Sequence, residues 1–162
     1  MKIKYFIYLL PIIFLTAYST VHGQKEITWY SLEEAQQLAQ ENDKKVLVYA
    51  EAVWCTYCKK MEKEVFPKKK IIDSLAKYYY PVRVDIESDK KLVFNGETMT
   101  GSQFAQKYRV RGTPTIFFID KAGEILGAQP GFIPPDIFNN LLAFVGTDAH
   151  KNISFEDYSK QN

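Results

Sequence analysis

Two cysteines separated by two residues are the feature of this sequence whose type and spacing can do chemistry. They lie in Trp54-Cys-Thr-Tyr-Cys58, a few residues after the apolar run 45–50. Such a pair can close a small disulfide and reopen it by exchange with another thiol. The apolar run predicts a buried strand and the residues after Cys55 predict a helix, so the pair is expected where a strand gives way to a helix.

A cysteine at the start of a helix ionises more readily than a free one. Backbone N–H groups and the helix dipole stabilise the thiolate there, and the thiol pKa can fall from about 8.5 to roughly 3.5–7.5. We therefore expect Cys55 to be the nucleophile that forms a mixed disulfide with a substrate. Cys58, one turn further along and more buried, is expected to resolve that intermediate by attacking Cys55.

Zinc binding and haem attachment are alternative roles for a pair with this spacing. A structural zinc site needs four ligands, yet beyond residue 23 the chain offers these two cysteines and a single histidine, His150. Haem attachment requires a histidine after the second cysteine, and this chain has Lys59 there. A purely structural disulfide closing so short a loop would stabilise the fold little. We expect redox chemistry, with no metal and no cofactor.

The start of the chain has the pattern of a secretory signal peptide. Lys2 and Lys4 precede the apolar stretch 5–17, and small or polar residues follow as far as Gly23, which is the order typical of such leaders. The apolar stretch is shorter than the roughly 20 residues that span a bilayer, which favours cleavage before Gln24 over a retained anchor. We predict export, to the periplasm of a Gram-negative bacterium.

Charge and length limit the remaining possibilities. Of the 162 residues, 21 are Lys or Arg and 19 are Asp or Glu, and two of the lysines belong to the leader. A nearly neutral domain gives no electrostatic reason to expect a nucleic-acid partner. A chain of this length forms one core without disulfide staples. We predict a signal peptide at 1–23, one domain at 24–146 and a polar, loosely held tail at 147–162.

Hydrophobic periodicity and turn residues predict an α/β chain. Ser31-Leu-Glu-Glu34 is a capping-box pattern that opens a helix, and Asn95-Gly96 predicts a tight hairpin turn. The run 115–119 predicts a buried strand whose antiparallel partner is 124–128, and a last helix is expected over 134–144. The order helix, strand, helix, strand, helix, strand, strand, helix predicts a central mixed sheet flanked by helices.

The segment Arg111-Gly-Thr-Pro114, taken with the cysteine pair, makes the chain resemble the thioredoxin superfamily. The strand before the cysteines, this segment, the turn at 120–123 and the final helix match that fold in order. The resemblance implies a thioredoxin-like fold with an inserted hairpin before the proline segment. It also implies that Pro114 is cis and that the backbone of Thr113 pairs with bound substrate as a short extra strand.

Within the superfamily the chain resembles the periplasmic SoxW-like thioredoxins and, more distantly, the C-terminal domain of DsbD. The supporting features are Glu51 four residues before the first cysteine, Tyr57 before the second, the Asn95-Gly96 hairpin and Gly131-Phe-Ile-Pro-Pro135.

The chain departs from cytosolic thioredoxins at two places. Those proteins have Gly-Pro between the cysteines and a buried aspartate at the position of Tyr49. The usual proton acceptor for Cys58 is therefore missing. Glu51 is a candidate replacement if its carboxylate turns toward the site, and a solvent-facing glutamate is the alternative.

These observations predict a monomeric extracytoplasmic thiol-disulfide oxidoreductase that reduces protein disulfides. The expected partners are substrate proteins and a redox partner such as a membrane electron donor. Trp54, beside the nucleophile, is expected to form part of an apolar docking surface. The full set of expected substrate-binding residues is Trp54, Thr56, Tyr57, Thr113 and Pro114. A non-catalytic binding module and a thiol oxidase or isomerase are the alternatives.

Overall fold

The computed structural model describes residues 26–161. The helices are α1 (Leu32–Asn42), α2 (Thr56–Glu64), α3 (Lys69–Tyr78), α4 (Gly101–Lys107), α5 (Pro135–Gly146) and α6 (Phe155–Gln161). The strands are β1 (Lys45–Glu51), β2 (Tyr79–Asp85), β3 (Lys91–Phe94), β4 (Glu97–Thr100), β5 (Thr115–Ile119) and β6 (Ile125–Pro130). The predicted signal peptide lies outside the described residues. Among the helices above, none is long and apolar enough to cross a bilayer.

A four-stranded sheet in the order β2-β1-β5-β6 forms the centre of the fold. Strand β1 runs parallel to β2 and antiparallel to β5, and β5 is antiparallel to β6. The predicted mixed sheet is thus confirmed. A bulge between Phe118 and Ile119 interrupts the pairing with β6. At the opposite edge, Tyr30 forms a parallel bridge with Val82 and donates its N–H to the carbonyl of Pro81 at 2.9 Å.

Strand β1 separates two hydrophobic cores, because successive side chains of a strand point to opposite faces of a sheet. Leu47 and Tyr49 face the first core, which is filled mainly from α2, α3 and α5. Val46, Val48 and Ala50 face the second core. That core is filled from α1, α4 and the β3–β4 hairpin, and its largest side chains are Phe94, Phe104 and Phe117.

The predicted hairpin forms a separate two-stranded sheet of β3 and β4. Asn95 and Gly96 both have positive φ, 51° and 76°, as the tight turns of two-residue hairpins require. The Asn95 N–H donates to Gln36 Oε1 at 3.0 Å, and its side-chain amide donates to the carbonyl of Gly123 at 3.1 Å. The turn is therefore tied to α1 and to the β5–β6 connection.

The C-terminal segment differs from the loosely held tail that the sequence predicts. A 3₁₀ helix at Ala149–Lys151 and helix α6 follow α5. The rings of Phe155 and Tyr158 pack on Phe144 of α5, with centroids 5.4 and 5.3 Å away. Residues three apart share one helix face, so two aromatic side chains suffice to dock an otherwise polar helix.

Candidate functional site

The cysteine pair lies where β1 leads into α2, as predicted. Cys55 and Cys58 form a disulfide with their Cα atoms 5.2 Å apart. Cys55 is the N-cap of α2, and its Sγ accepts the Cys58 N–H at 3.0 Å. A sulfur in this position is held by the same backbone donors that would stabilise a thiolate. Between residues 26 and 161, no cluster of three His, Cys, Asp or Glu side chains could hold a metal ion.

Exposure does not distinguish the two cysteines. In the disulfide form Cys55 is 3% exposed and Cys58 is 2% exposed. Position in the helix does distinguish them, since Cys55 caps α2 whereas Cys58 lies inside its first turn. The assignment of Cys55 as nucleophile therefore depends on helix position, and it stays a prediction.

Exposed apolar side chains flank the buried disulfide along the chain. Val53, Trp54 and Tyr57 are 75%, 62% and 60% exposed, and the ring of Phe132 lies 6.4 Å from that of Tyr57. We call these four residues the docking surface. Thr56, between the cysteines, is also exposed. Clustered exposed apolar side chains are typical of sites that bind other proteins.

The segment before β5 is bonded to the loop that carries Phe132. The Thr113–Pro114 peptide bond is cis, as the resemblance implies, and the Pro114 carbonyl accepts the Gly131 N–H at 2.8 Å. The Thr113 hydroxyl is buried, and within residues 26–161 it has no hydrogen-bond partner. The Thr113 backbone likewise makes no hydrogen bond to another residue in this range. Buried polar groups are rarely left unpaired, so Thr113 offers unused hydrogen-bonding capacity.

Tyr49 occupies the position where cytosolic thioredoxins have an aspartate. Its side chain is fully buried in the first core, and its hydroxyl donates to the carbonyl of Cys58 at 3.2 Å. Burial, with the nearby charges of Glu51 and Glu62, raises the pKa of Tyr49. The hydroxyl therefore stays protonated and acts as a donor to the helix that contains Cys58.

Arg83 of β2 connects Tyr49 to two carboxylates. Its Nη1 lies 2.7 Å from Glu62 Oε1 and 3.2 Å from Glu51 Oε1. The guanidinium carbon is 4.6 Å from the ring centroid of Trp29 and 5.7 Å from that of Tyr49, within the range of cation–π contact. We refer to Arg83, Glu51 and Glu62 as the charged cluster. Arg83 and Glu62 were not predicted from the sequence, because their proximity depends on the pairing of β1 with β2 and on the position of α2 beside these strands.

Glu51 adopts neither of the two orientations considered from the sequence. Its side chain is 19% exposed, and among the described residues its polar contacts are with Arg83 and Glu62 rather than with a cysteine. Burial raises the pKa of Glu51, the ion pair with Arg83 opposes that effect, and the hydrogen bond and charge of Glu62 add to it. Glu51 is thus a half-buried carboxylate with increased proton affinity.

The fold and this site together define a class, the thioredoxin-fold proteins with a redox-active cysteine pair. The family described as "Thioredoxin-like domain" matches residues 32–146, and the chain belongs to it.

Three proteins similar to this chain are informative, and two of them are named for a reaction of disulfides. The thiol:disulfide interchange protein DsbD of Pseudoalteromonas atlantica is 33% identical over 107 residues, which cover 64% of this chain and 17% of DsbD. The disulfide bond reductase DsbH of Chlamydia pneumoniae is 26% identical over 109 residues, 67% of this chain and 64% of DsbH. A thioredoxin-fold protein from Helicobacter pylori superposes with a TM-score of 0.67 at 26% identity, covering 74% of this chain and 84% of that one.

The chain spans only a small part of the DsbD sequence and just under two thirds of DsbH. The relatives therefore support the activity of the shared domain: the chain is a thiol-disulfide oxidoreductase of the thioredoxin-like family.

Proposed function

We propose that this protein is an extracytoplasmic reductant of protein disulfides. The observation that carries the proposal is the Cys55–Cys58 pair at the start of α2, buried beneath an exposed docking surface. The reducing direction is supported by the chlamydial relative, which is named a disulfide bond reductase. The extracytoplasmic location is supported by the leader pattern at 1–23.

The proposed cycle transfers two electrons to the substrate. The Cys55 thiolate attacks one sulfur of a substrate disulfide, an S–S bond forms between protein and substrate, and the leaving substrate thiolate takes up a proton. Cys58 then loses its proton and attacks the Cys55 sulfur, which releases the second substrate thiol. The substrate ends as a dithiol and the protein as the Cys55–Cys58 disulfide, which a redox partner must reduce again.

Substrate binding is assigned to the residues around the pair. Trp54, Thr56 and Tyr57 present exposed surface beside the disulfide. Thr113 would pair with an extended substrate segment through its unused backbone groups, while Pro114 holds that segment against the Gly131 loop. In the reduced protein the unpaired Thr113 hydroxyl would donate to the Cys55 thiolate and favour its charged form.

Glu51 is proposed as the proton acceptor for Cys58. Burial raises the pKa of Glu51, which makes its carboxylate a stronger base than an ordinary glutamate. Its polar contacts are with Arg83 and Glu62 rather than with a cysteine, so proton transfer requires release of the bond to Arg83.

We place the protein, as a monomer, in the periplasm among SoxW-like thioredoxins, where a membrane electron donor would reduce it. The similarity to DsbD supports such an electron-transfer chain.

Insulin reduction with dithiothreitol tests the activity, and a trapping variant tests the order of attack. Wild-type protein should accelerate insulin precipitation, and Cys55→Ala should fall to the rate of dithiothreitol alone. Cys58→Ser should accumulate mixed disulfides with exported proteins, because the resolving thiol is absent. Non-reducing gels followed by mass spectrometry identify the linkage, with Cys55→Ser as the matched control.

Two outcomes would contradict the proposal. Partner capture that survives loss of both cysteines, without any covalent species, would favour the binding-module alternative. Trapping through Cys58 in Cys55→Ser would reverse the nucleophile assignment.

A further inference from the structure

We infer that this protein preferentially reduces disulfides flanked by acidic residues, because the segments that form the site carry exposed cations and no carboxylate. The inference rests on the proposed function and specifies the substrate class within it. The residues concerned, which we call the basic rim, are Lys59, Lys60, Arg109 and Arg111.

The segments that form the site are charged with one sign. They are residues 52–61 around the cysteines, 109–114 before β5 and 128–134 before α5, and together they contain the four rim cations and no carboxylate. All four rim residues are exposed. The chain as a whole has 21 basic and 19 acidic residues, so the excess is a local property of this surface.

Contacts within the site connect the rim segments to the docking surface. Lys60 Nζ lies 4.4 Å from the ring centroid of Phe132, whose ring also contacts Tyr57. The loop that carries Phe132 is bonded through Gly131 to Pro114. Arg111 stands three residues before that proline in the chain.

The rim charges are largely uncompensated. Lys60 has a distant ion pair with Glu64, at 4.0 Å. Lys59, Arg109 and Arg111 form no ion pair with any residue between 26 and 161. The nearest carboxylates along the chain, Glu51 and Glu62, share the single positive charge of Arg83, so that with both ionised they leave one negative charge against the four rim cations. An approaching protein segment therefore meets apolar surface edged by free positive charge.

The basic rim should affect the rate at which the substrate associates with the protein more than the rate of thiol-disulfide exchange. Exposed charges around a docking surface change association rates and their salt dependence, and such steering is worth roughly 10- to 1000-fold in rate where a field of one sign is concentrated. Four exposed charges with a Debye length of about 10 Å at 0.1 M salt should give the low end of that range.

The test compares three peptides with one identical disulfide loop and flanks of two Glu, two Gln or two Lys. Second-order rate constants for their reduction by the reduced protein are measured by acid quench and chromatography at low and high salt. The rates are expressed as the Glu-to-Lys ratio for each variant, which cancels any change in thiol reactivity. The rim variant is Lys59→Gln with Arg111→Gln. The control is Lys121→Gln with Lys160→Gln. It removes the same number of positive charges from the β5–β6 turn and from α6, outside the three site segments.

We expect the wild type and the control to reduce the Glu peptide about tenfold faster than the Lys peptide at low salt. The ratio should approach one at high salt and fall severalfold in the rim variant. A ratio near one in the wild type, or an equal ratio in the rim variant and the control, would overturn the inference. Failure to reduce even the Gln peptide would instead overturn the proposed function.

Discussion

The two cores on either side of β1 have the same strand in common and differ in their polar content. The second core consists of apolar side chains. Within it, the ring of Phe104 packs against three other rings, those of Phe94, Tyr108 and Phe117. The first core contains the disulfide and the Tyr49 hydroxyl, and the charged cluster lies at its margin. Alternation along one strand thus confines the redox site to one face of the sheet, while side chains on both faces contribute to stability.

The largest effect should follow from deleting an aromatic side chain in either core. Phe104 and Phe66 are 0% and 4% exposed, and replacing such a side chain by alanine costs about 3–5 kcal/mol of unfolding free energy. Phe104→Ala should leave the reduction potential of the cysteine pair unchanged. Phe66→Ala should shift it, because the Phe66 ring lies 4.9 Å from that of Tyr49. Urea unfolding and glutathione titration measure the two properties, and an equal shift in both variants would contradict the confinement of the redox site to one face.

A smaller and more selective effect is expected from removing one buried hydroxyl. Tyr49 donates to the Cys58 carbonyl at 3.2 Å, and Tyr79 donates to the Leu142 carbonyl at 2.7 Å. Tyr49→Phe and Tyr79→Phe should each cost about 1 kcal/mol of stability.

Only Tyr49→Phe should change the rate at which Cys58 resolves a mixed disulfide, because only that hydroxyl holds the turn containing Cys58. Stopped-flow measurement with a pre-formed mixed disulfide separates this step. Identical rates in the two variants would show that Tyr49 is merely a packing residue.

The smallest effect is the pH dependence that Glu51 contributes to stability. Because the pKa of Glu51 is raised in the folded protein, the folded state binds this proton more tightly than the unfolded state does. The contribution is therefore lost as pH rises from the ordinary glutamate value of 4.5 through the raised value. In Glu51→Gln that loss should disappear, so the unfolding free energy of the wild type should fall relative to the variant across this window. If the two plots of unfolding free energy against pH were parallel, or if the wild type gained stability relative to Glu51→Gln as pH rose, the raised pKa of Glu51 would be contradicted.

Local signals were sufficient for the elements that hold the cysteine pair. The run 115–119 coincides with β5, and Asn95-Gly96 forms the hairpin turn. The pair lies at the start of α2, as the apolar strand before it and the helical pattern after it indicated. These features depend on residues close together in the chain, where periodicity and turn chemistry are informative.

The charged cluster and α6 could not be predicted in the same way. Arg83 lies beside Tyr49 because the parallel register of β1 and β2 pairs these two residues, and the order of strands in a sheet is not a local property. Phe155 and Tyr158 had the spacing of a helix face, but only the structure shows that Phe144 lies beneath them. The charged cluster and the position of α6 both depend on contacts between segments that are distant in the sequence.

The edges of the central sheet have a consequence for self-association. An unpaired strand edge is a template for strands of other molecules, and prolines, bulges and covering segments obstruct such growth. The β2 edge is bridged by Tyr30 next to Pro81. The β6 edge ends at Pro130 and is distorted by the bulge at Phe118 and Ile119. With both edges obstructed, the sheet is protected against growth by strands of other copies of this protein, and the proposed pairing of a substrate segment with the free backbone of Thr113 would not depend on either edge.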